Sequence, residues 1–384
     1  MQNFTFYNPT RILFGTHRLP ELAREIPADA RVLITYGGGS IARTGTLAEV
    51  NAALKGFAVV EFGGIEPNPT YETLIQAVEL ARRENVGFLL SVGGGSVIDG
   101  TKFIAAAIPF AGDPWDILSK RARIKSAVPF GTVLTLPATG SEMNNGAVIT
   151  RRASNDKLAF SHPLLFPRFS ILDPTKAYTL PARQIANGVV DAFVHVIEQY
   201  LTYPADAKVQ DRFAEGLLLT LIEDGPKALQ EPQNYALRAN LMWVATMALN
   251  GLIGAGVPND WATHMLGHEL TALHGLDHAQ SLAVILPAML EVRRGEKREK
   301  LLQYAARVWQ LREGDDEARI DQAIERTRQF FESLQVSTHL AAYNIGKEAI
   351  PALIDQLERH GMTALGEHRN FTIEGSRRVY ELAS

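Results

Sequence analysis

The chain has 384 residues, of which 46% are apolar and 21% charged, with a formal net charge of -4 and no cysteine. That length exceeds one ordinary hydrophobic core and predicts two domains, and the charge balance argues against a nucleic-acid partner. The absence of thiols excludes disulfides, thiolate catalysis and cysteine-held zinc or iron-sulfur centres, so any metal must take nitrogen and oxygen ligands.

In chain order, the opening MQNFTFYNPTRILFG lacks a basic start followed by an apolar stretch, and no run approaches the ~20 apolar residues of a bilayer span. A cytoplasmic protein without membrane contact is expected. The runs ARVLITYGGGS, FAVVEFGGI, VGFLLSVGGGS, FGTVLTLPATGSE and FSILDP read as strands ending in glycine or polar turns. Between them NPTYETLIQAVELARRENV and SVIDGTKFIAAAI have helical spacing, and this alternation predicts a parallel sheet flanked by helices. From LPARQIANGVVDAFVHVIEQYL onward the period is helical: DRFAEGLLLTLIEDGPKAL, NYALRANLMWVATMALNGLIGAG, KREKLLQYAARVWQL and DEARIDQAIERTRQFFESL all predict helices. The expected architecture is α/β then all-α: a Rossmann-like nucleotide domain over residues 1–178 and an all-helical domain over 179–384, with the chemistry in a cleft between them.

Two turns are nearly identical, ITYGGGS (Gly37, Gly38, Gly39, Ser40) and SVGGGSVIDGTK (Gly93, Gly94, Gly95, Ser96, Asp99, Lys102). Successive glycines after a strand let the backbone approach a ligand, and a helix starting at Ser96 aims N–H groups at an anion. Neither turn is the usual G-x-G-x-x-G fingerprint, and the first offers no acidic residue for a ribose 2′-hydroxyl. Ser40, glycine amides and nearby Arg43 suit a 2′-phosphate instead, which favours NADP(H) over NAD(H).

Asp191 and His195, four apart in NGVVDAFVHVIEQY, share one face of a helix with apolar neighbours. DWATHMLGHELTALHGLDHAQS then gathers His264, His268, His274 and His278, with His264 and His268 on one face and HGLD forming a turn. One oxygen and three nitrogens from these segments suit a divalent ion such as Zn²⁺ or Fe²⁺, but spacing alone does not choose among the four imidazoles. The isolated His17, His162, His339, His360 and His368 are read as ordinary core or surface residues.

Together GGGSVIDGTK, TLPATGSE, DAFVH and HMLGHELTALHGLDHAQSLA resemble the iron-containing alcohol dehydrogenase family, in particular its NADPH-dependent butanol dehydrogenases and broad-range aldehyde reductases. The resemblance implies a dehydroquinate synthase-like fold and one divalent ion, Zn or Fe, on Asp191, His195, His264 and His278. It implies His268 and Asp99 as catalytic candidates, His268 near the substrate for proton delivery and Asp99 also supporting the glycine turn. His274 stays outside the ligand set. Gly94, Gly95 and Ser96 would cradle the pyrophosphate, Thr135, Thr139, Ser141 and Lys157 would line the nicotinamide and its ribose, and Asn68 would face the adenosine side. Gly38, with Gly39 and Ser40 beside it, stands where NAD-preferring relatives carry an Asp.

The activity so implied is reversible hydride transfer between NADPH and small aldehydes. A homodimer is expected by resemblance, through edge pairing of FTFYNPTRILFG. Alternatives are a glycerol-type polyol dehydrogenase, a dehydroquinate synthase-like lyase and a non-catalytic nucleotide- or metal-binding protein. LNGLIGAGVPNDW and Met143 favour an apolar substrate over a polyol.

Overall fold

In the computed structural model, which describes residues 1–384, the apolar runs of the first half form strands β1 (Arg11–Phe14), β2 (Arg31–Tyr36), β3 (Ala58–Phe62), β4 (Phe88–Gly94), β5 (Phe130–Leu136), β6 (Gly146–Arg151), β7 (Asp156–Ser161) and β8 (Phe169–Leu172); β9 (Ala364–Leu365) and β10 (Phe371–Thr372) make a short pair near the end. The helices of this half are α1 (Leu22–Glu25), α2 (Ser40–Arg43), α3 (Thr46–Ala53), α4 (Tyr71–Arg83), α5 (Gly95–Ala107) and α6 (Asp116–Ser119). Those that follow are α7 (Ala182–Tyr200), α8 (Lys208–Gln230), α9 (Tyr235–Ala248), α10 (Ala262–His274), α11 (His278–Val292), α12 (Arg298–Arg307), α13 (Asp316–Ser333), α14 (Ile350–Arg359) and α15 (Ile373–Ala383).

Six strands form one parallel sheet in the order β1-β8-β5-β4-β2-β3. Its central strands are apolar on both faces, as a parallel sheet covered on two sides requires. Alternate residues accordingly join different cores: Leu33 and Leu89 pack with α4 and α5 residues such as Leu74 and Phe103, whereas Val32, Ile34, Leu90 and Val92 pack with Leu22 and Val50. Gly131 sits on β5 because a Cβ there would lie 2.4 Å from the Phe169 ring on β8. After β2 the chain runs outward to β3 and then returns to β4 on the other side of β2. Such a reversal leaves a crevice at the carboxyl ends of β2 and β4, the usual ligand position of an open parallel sheet.

The chain divides into two compact units: Tyr7–Leu180 with Pro232–Thr246, and Met1–Phe6 with Pro181–Glu231 and Met247–Ser384. Two segments, Met1–Phe6 and Pro232–Thr246, cross the expected division into 1–178 and 179–384. Most of α9 belongs to the sheet unit, where Met242 fills an apolar layer with Ile98, Leu134, Leu172 and Ala177. The first residues belong to the helical unit, held by Gln2 N donating to Gly256 O at 2.9 Å. β1 is an edge strand with β8 on its inner side. In the helical unit α10, α11, α14 and α15 share a core around Leu266, Leu270, Ile285 and Leu353, and α7 is buried from Gly188 to Tyr200. No helix is long and apolar enough to cross a membrane.

Candidate metal centre and nucleotide-binding turns

Three helices of the helical unit supply the candidate metal donors. On α7, apolar neighbours Val189, Val190, Phe193 and Val194 bury the helix on every side, so Asp191 and His195, one turn apart, are carried inside with it. On α10, His264 lies in the first turn. That helix stops at Gly275, whose left-handed φ of +71° ends it without the penalty a side chain would add. Asp277 then caps α11 through a capping box with Gln280, and His278 becomes its first residue. Asp277 also accepts from Asn187 Nδ2 at 2.9 Å and pairs with Arg183 at 2.7 Å. One carboxylate therefore ties the start of α11 to the helix that carries Asp191.

One donor atom from each of Asp191, His195, His264 and His278 lies within 4.8 Å of every other. His195 Nε2 and His278 Nε2 are 3.7 and 3.5 Å from Asp191 Oδ1, and the His195 and His264 rings stack at 4.8 Å. Bond lengths of about 2.1 Å in a tetrahedral site put neighbouring donors roughly 3.4 Å apart, so the group fits one divalent ion. Its chemistry agrees. Burial lowers the His195 pKa to about 4 against the pull of Asp191, which keeps that imidazole neutral and able to donate a lone pair at neutral pH. A buried Asp facing the neutral His195 imidazole gains a charge partner when a cation enters.

His268, also buried, lies with its ring 5.4 Å from that of His278 and 6.3 Å from that of His264. His274 lies at the end of α10, exposed and outside the cluster. Glu198, which the sequence reading does not single out, hydrogen-bonds His264 Nδ1. Its signal is a carboxylate three residues after His195, on the same helix face as Asp191 and His195, in a stretch buried from Gly188 to Tyr200. Burial first, and then Asp260, push its carboxyl well above the usual range, while the N–H groups of Thr263 and His264 and the Lys297 ammonium oppose that rise.

The sheet unit carries the turns proposed for a nucleotide. Gly38 and Ser40 lie beyond β2, Ser40 exposed, and Gly39 takes a left-handed φ of +88° before α2, where Arg43 is also exposed. Gly94, Gly95 and Ser96 turn from β4 into α5; the helix begins at Gly95, one residue before the expected start. A Cβ on Gly95 would lie 2.3 Å from Thr139 Oγ1, so glycine is what lets the β5 loop close over the turn. Ser96 Oγ accepts from Asn68 N at 3.3 Å, and Lys157 Nζ donates to Asn68 Oδ1 at 2.9 Å. Thr135 lies near the carboxyl end of β5.

Asp99 accepts from Ser141 Oγ at 2.5 Å and from Val148 N at 2.9 Å. Lys102, fully buried, donates to Ser141 Oγ, Asn144 Oδ1 and Gly146 O at 2.7 to 2.8 Å. Both side chains of α5 thus hold the loop that bears Thr139 and Ser141. Burial lowers the Lys102 pKa to about 8 against the attraction of Asp99 and Glu142, and burial raises that of Asp99.

Residues 9–174 match the family model for iron-containing alcohol dehydrogenase, and residues 185–381 match the C-terminal model of the Fe-containing alcohol dehydrogenase family. The chain is 64% identical to the NADPH-dependent aldehyde reductase YqhD of Escherichia coli (strain K12), over 100% of both chains. It is 42% identical to a probable NADH-dependent butanol dehydrogenase of Bacillus subtilis (strain 168), covering 94% of this chain and 95% of the other. Among solved structures, the substrate- and cofactor-free form of the E. coli enzyme superposes with a TM-score of 0.93 at 62% identity, over 100% of both chains. The NADH-dependent butanol dehydrogenase A of Thermotoga maritima does so with a TM-score of 0.96 at 34% identity, over 100% and 99%. The chain belongs to the iron-containing alcohol dehydrogenase family.

Proposed function

We propose that this protein is a metal-dependent, NADP(H)-linked alcohol dehydrogenase that works as an aldehyde reductase, carrying hydride reversibly between NADPH and small aldehydes. The gathering of Asp191, His195, His264 and His278 from three helices around one point carries the reading. A divalent ion held by these four, Zn²⁺ or Fe²⁺, supplies Lewis acidity toward a carbonyl oxygen.

The remaining work falls to the chain's own side chains. The N–H groups at Gly94, Gly95 and Ser96 bind the pyrophosphate at the positive end of α5. Asn68, locked by Lys157, takes the adenosine side, and Thr135, Thr139, Ser141 and Lys157 orient the nicotinamide and its ribose. Asp99 acts through Ser141, as a positioning group rather than one that touches the reacting atoms. His268 delivers the proton that the product oxygen needs after hydride transfer. Around Gly38, the exposed Ser40 and Arg43 accept a 2′-phosphate, which selects NADP(H). The protein works in the cytoplasm as a homodimer, with the edge strand β1 and the N-terminal segment at the contact. Tyr7–Leu180 with Pro232–Thr246 form the nucleotide domain, and the remainder forms the metal domain.

The test is NADPH and NADH absorbance on mixing with butyraldehyde, before and after chelation and after restoring Zn²⁺ or Fe²⁺. Metal-dependent oxidation of NADPH in preference to NADH is expected. In Gly38→Asp, where a side chain would meet nothing within 4 Å, the preference for NADPH should fall at least tenfold. No oxidation of either cofactor in any metal state would overturn the reading.

A further inference from the structure

Glu198 lies beneath the donor cluster and grips one member of it. Its Oε1 accepts from Thr263 N at 2.6 Å, and its Oε2 accepts from His264 N at 3.3 Å and bonds His264 Nδ1. Those two amides belong to the first turn of α10, where N–H groups have no partner within their own helix and the helix dipole favours a negative charge. A carboxylate on α7 thus caps a second ligand-bearing helix.

The start of α10 is anchored from below as well. Asp260 N donates to Glu198 O at 2.9 Å, and Asp260 Oδ1 accepts from Ala262 N at 3.0 Å. Asp260 Oδ2 pairs with Arg293 at 2.6 Å and Lys297 at 2.8 Å, and Glu367 pairs with both cations at 2.8 Å. These four side chains are 1% to 4% exposed. Two cations and two carboxylates therefore balance inside the protein, and the chain just before His264 is built into that balance.

We propose that Glu198 is a positioning residue of the metal centre, holding His264 in the tautomer that keeps its proton on Nδ1 and presents Nε2 as the ligand, while the quartet of Asp260, Arg293, Lys297 and Glu367 fixes the turn on which His264 sits. Each Glu198 oxygen receives a backbone N–H at the N-terminus of α10, a setting that favours its ionised form, and as a carboxylate it meets Nδ1 as an acceptor. The ring proton is then on Nδ1, and the lone pair that can take a metal is on Nε2. Carboxylate partners of this kind orient ligating imidazoles, and their loss typically costs 10–100-fold in metal affinity. The inference rests on the reading of Asp191, His195, His264 and His278 as a metal centre.

The experiment measures Zn²⁺ affinity of the full-length protein by competition with a chromophoric chelator, alongside thermal unfolding of the metal-free form. In Glu198→Gln the amide keeps the size of the side chain but offers an N–H₂ group to Nδ1 or to the backbone donors. An affinity roughly 10–100-fold below wild type is expected. Glu198→Asp keeps the charge and shortens the reach, and should bind more tightly than Glu198→Gln; a purely space-filling role predicts the reverse order. Wild-type affinity in Glu198→Gln, or Gln binding as well as Asp, overturns the proposal. Should Glu198→Gln not fold, ¹⁵N-histidine spectra of Zn²⁺-loaded wild type decide, with Nδ1–H on His264 expected and Nε2–H contradicting it. Wild-type protein that binds no Zn²⁺ or Fe²⁺ refutes the metal centre itself, a result distinct from either failure.

Discussion

Lys102 shows how a single buried charge is made useful. Its ammonium is fully buried but satisfied by three acceptors on the loop after β5, with Asp99 close enough to compensate the charge. Burial still wins, bringing its pKa to about 8 from the 10.5 of an exposed lysine. The folded protein therefore releases this proton before the unfolded chain does. Between pH 8 and 10.5 the unfolded state holds more protons, so the contribution of Lys102 to stability rises with pH across that window and is flat below it. The full rise is on the order of 3 kcal/mol. Urea unfolding of wild type and Lys102→Met at about pH 7.5 and about pH 9.5 isolates the group, since other titrations cancel in the difference. The advantage of wild type should grow at the higher pH; a difference that stays level or shrinks would show that the ammonium is not destabilised by burial.

At the scale of elements, the β4–α5 turn is the feature whose geometry admits least change. Gly95→Ala would press a methyl group onto Thr139, whose Oγ1 and Cγ2 lie 2.3 and 2.5 Å from where the new Cβ would sit. Overpacking of that kind costs about 1–3 kcal/mol, and the β5 loop must move away from the β4–α5 turn. NADPH affinity, followed by nucleotide fluorescence, should fall at least tenfold, whereas Gly38→Ala, with open space around its Cβ, should stay within threefold on stability and binding; equal effects of the two would contradict this placement. Both glycine turns are legible in the sequence because three glycines after a β-branched run have few other uses. The Asp and His residues are legible because polar side chains on an apolar helix need a reason. Choosing His264 and His278 over His274 requires the family resemblance, since their meeting depends on the turn at Gly275. The β6–β7 hairpin is not legible: its alternation is weak, with Lys157 buried and Ala159 exposed. Nor is β1 as a sheet strand, because its partner β8 lies some 158 residues away (Arg11 to Phe169), and a pairing so distant leaves no local pattern. Glu198 escapes notice because its partners, the amides of α10, carry no sequence signal at all.

For the whole molecule, the division into units matters more than the boundary read from the change of period near residue 178. The sheet unit borrows Pro232–Thr246 from the far side of a 51-residue excursion, Pro181–Glu231, through the helical unit. What α9 brings is specific. Met242 closes the layer of Ile98, Leu134, Leu172 and Ala177, Trp243 packs edge-on against Phe14 at 5.9 Å, Arg238 donates to Ala177 O at 2.7 Å, and Thr246 Oγ1 donates to the fully buried Glu142 at 2.5 Å. A fragment ending at residue 180 would bare that apolar layer and deprive a buried carboxylate of its hydrogen-bond donor, a loss of about 1–3 kcal/mol for the carboxylate alone. With stabilities of roughly 5–15 kcal/mol typical of whole domains, such losses together exceed what the fragment can bear. Residues 1–180 expressed alone should therefore bind an apolar dye and melt without a cooperative transition, and adding a peptide spanning 232–248 should restore cooperativity in proportion to its concentration. A fragment that unfolds sharply without the peptide would show that the sheet unit is self-sufficient, and that α9 is held by that unit without helping to hold it together.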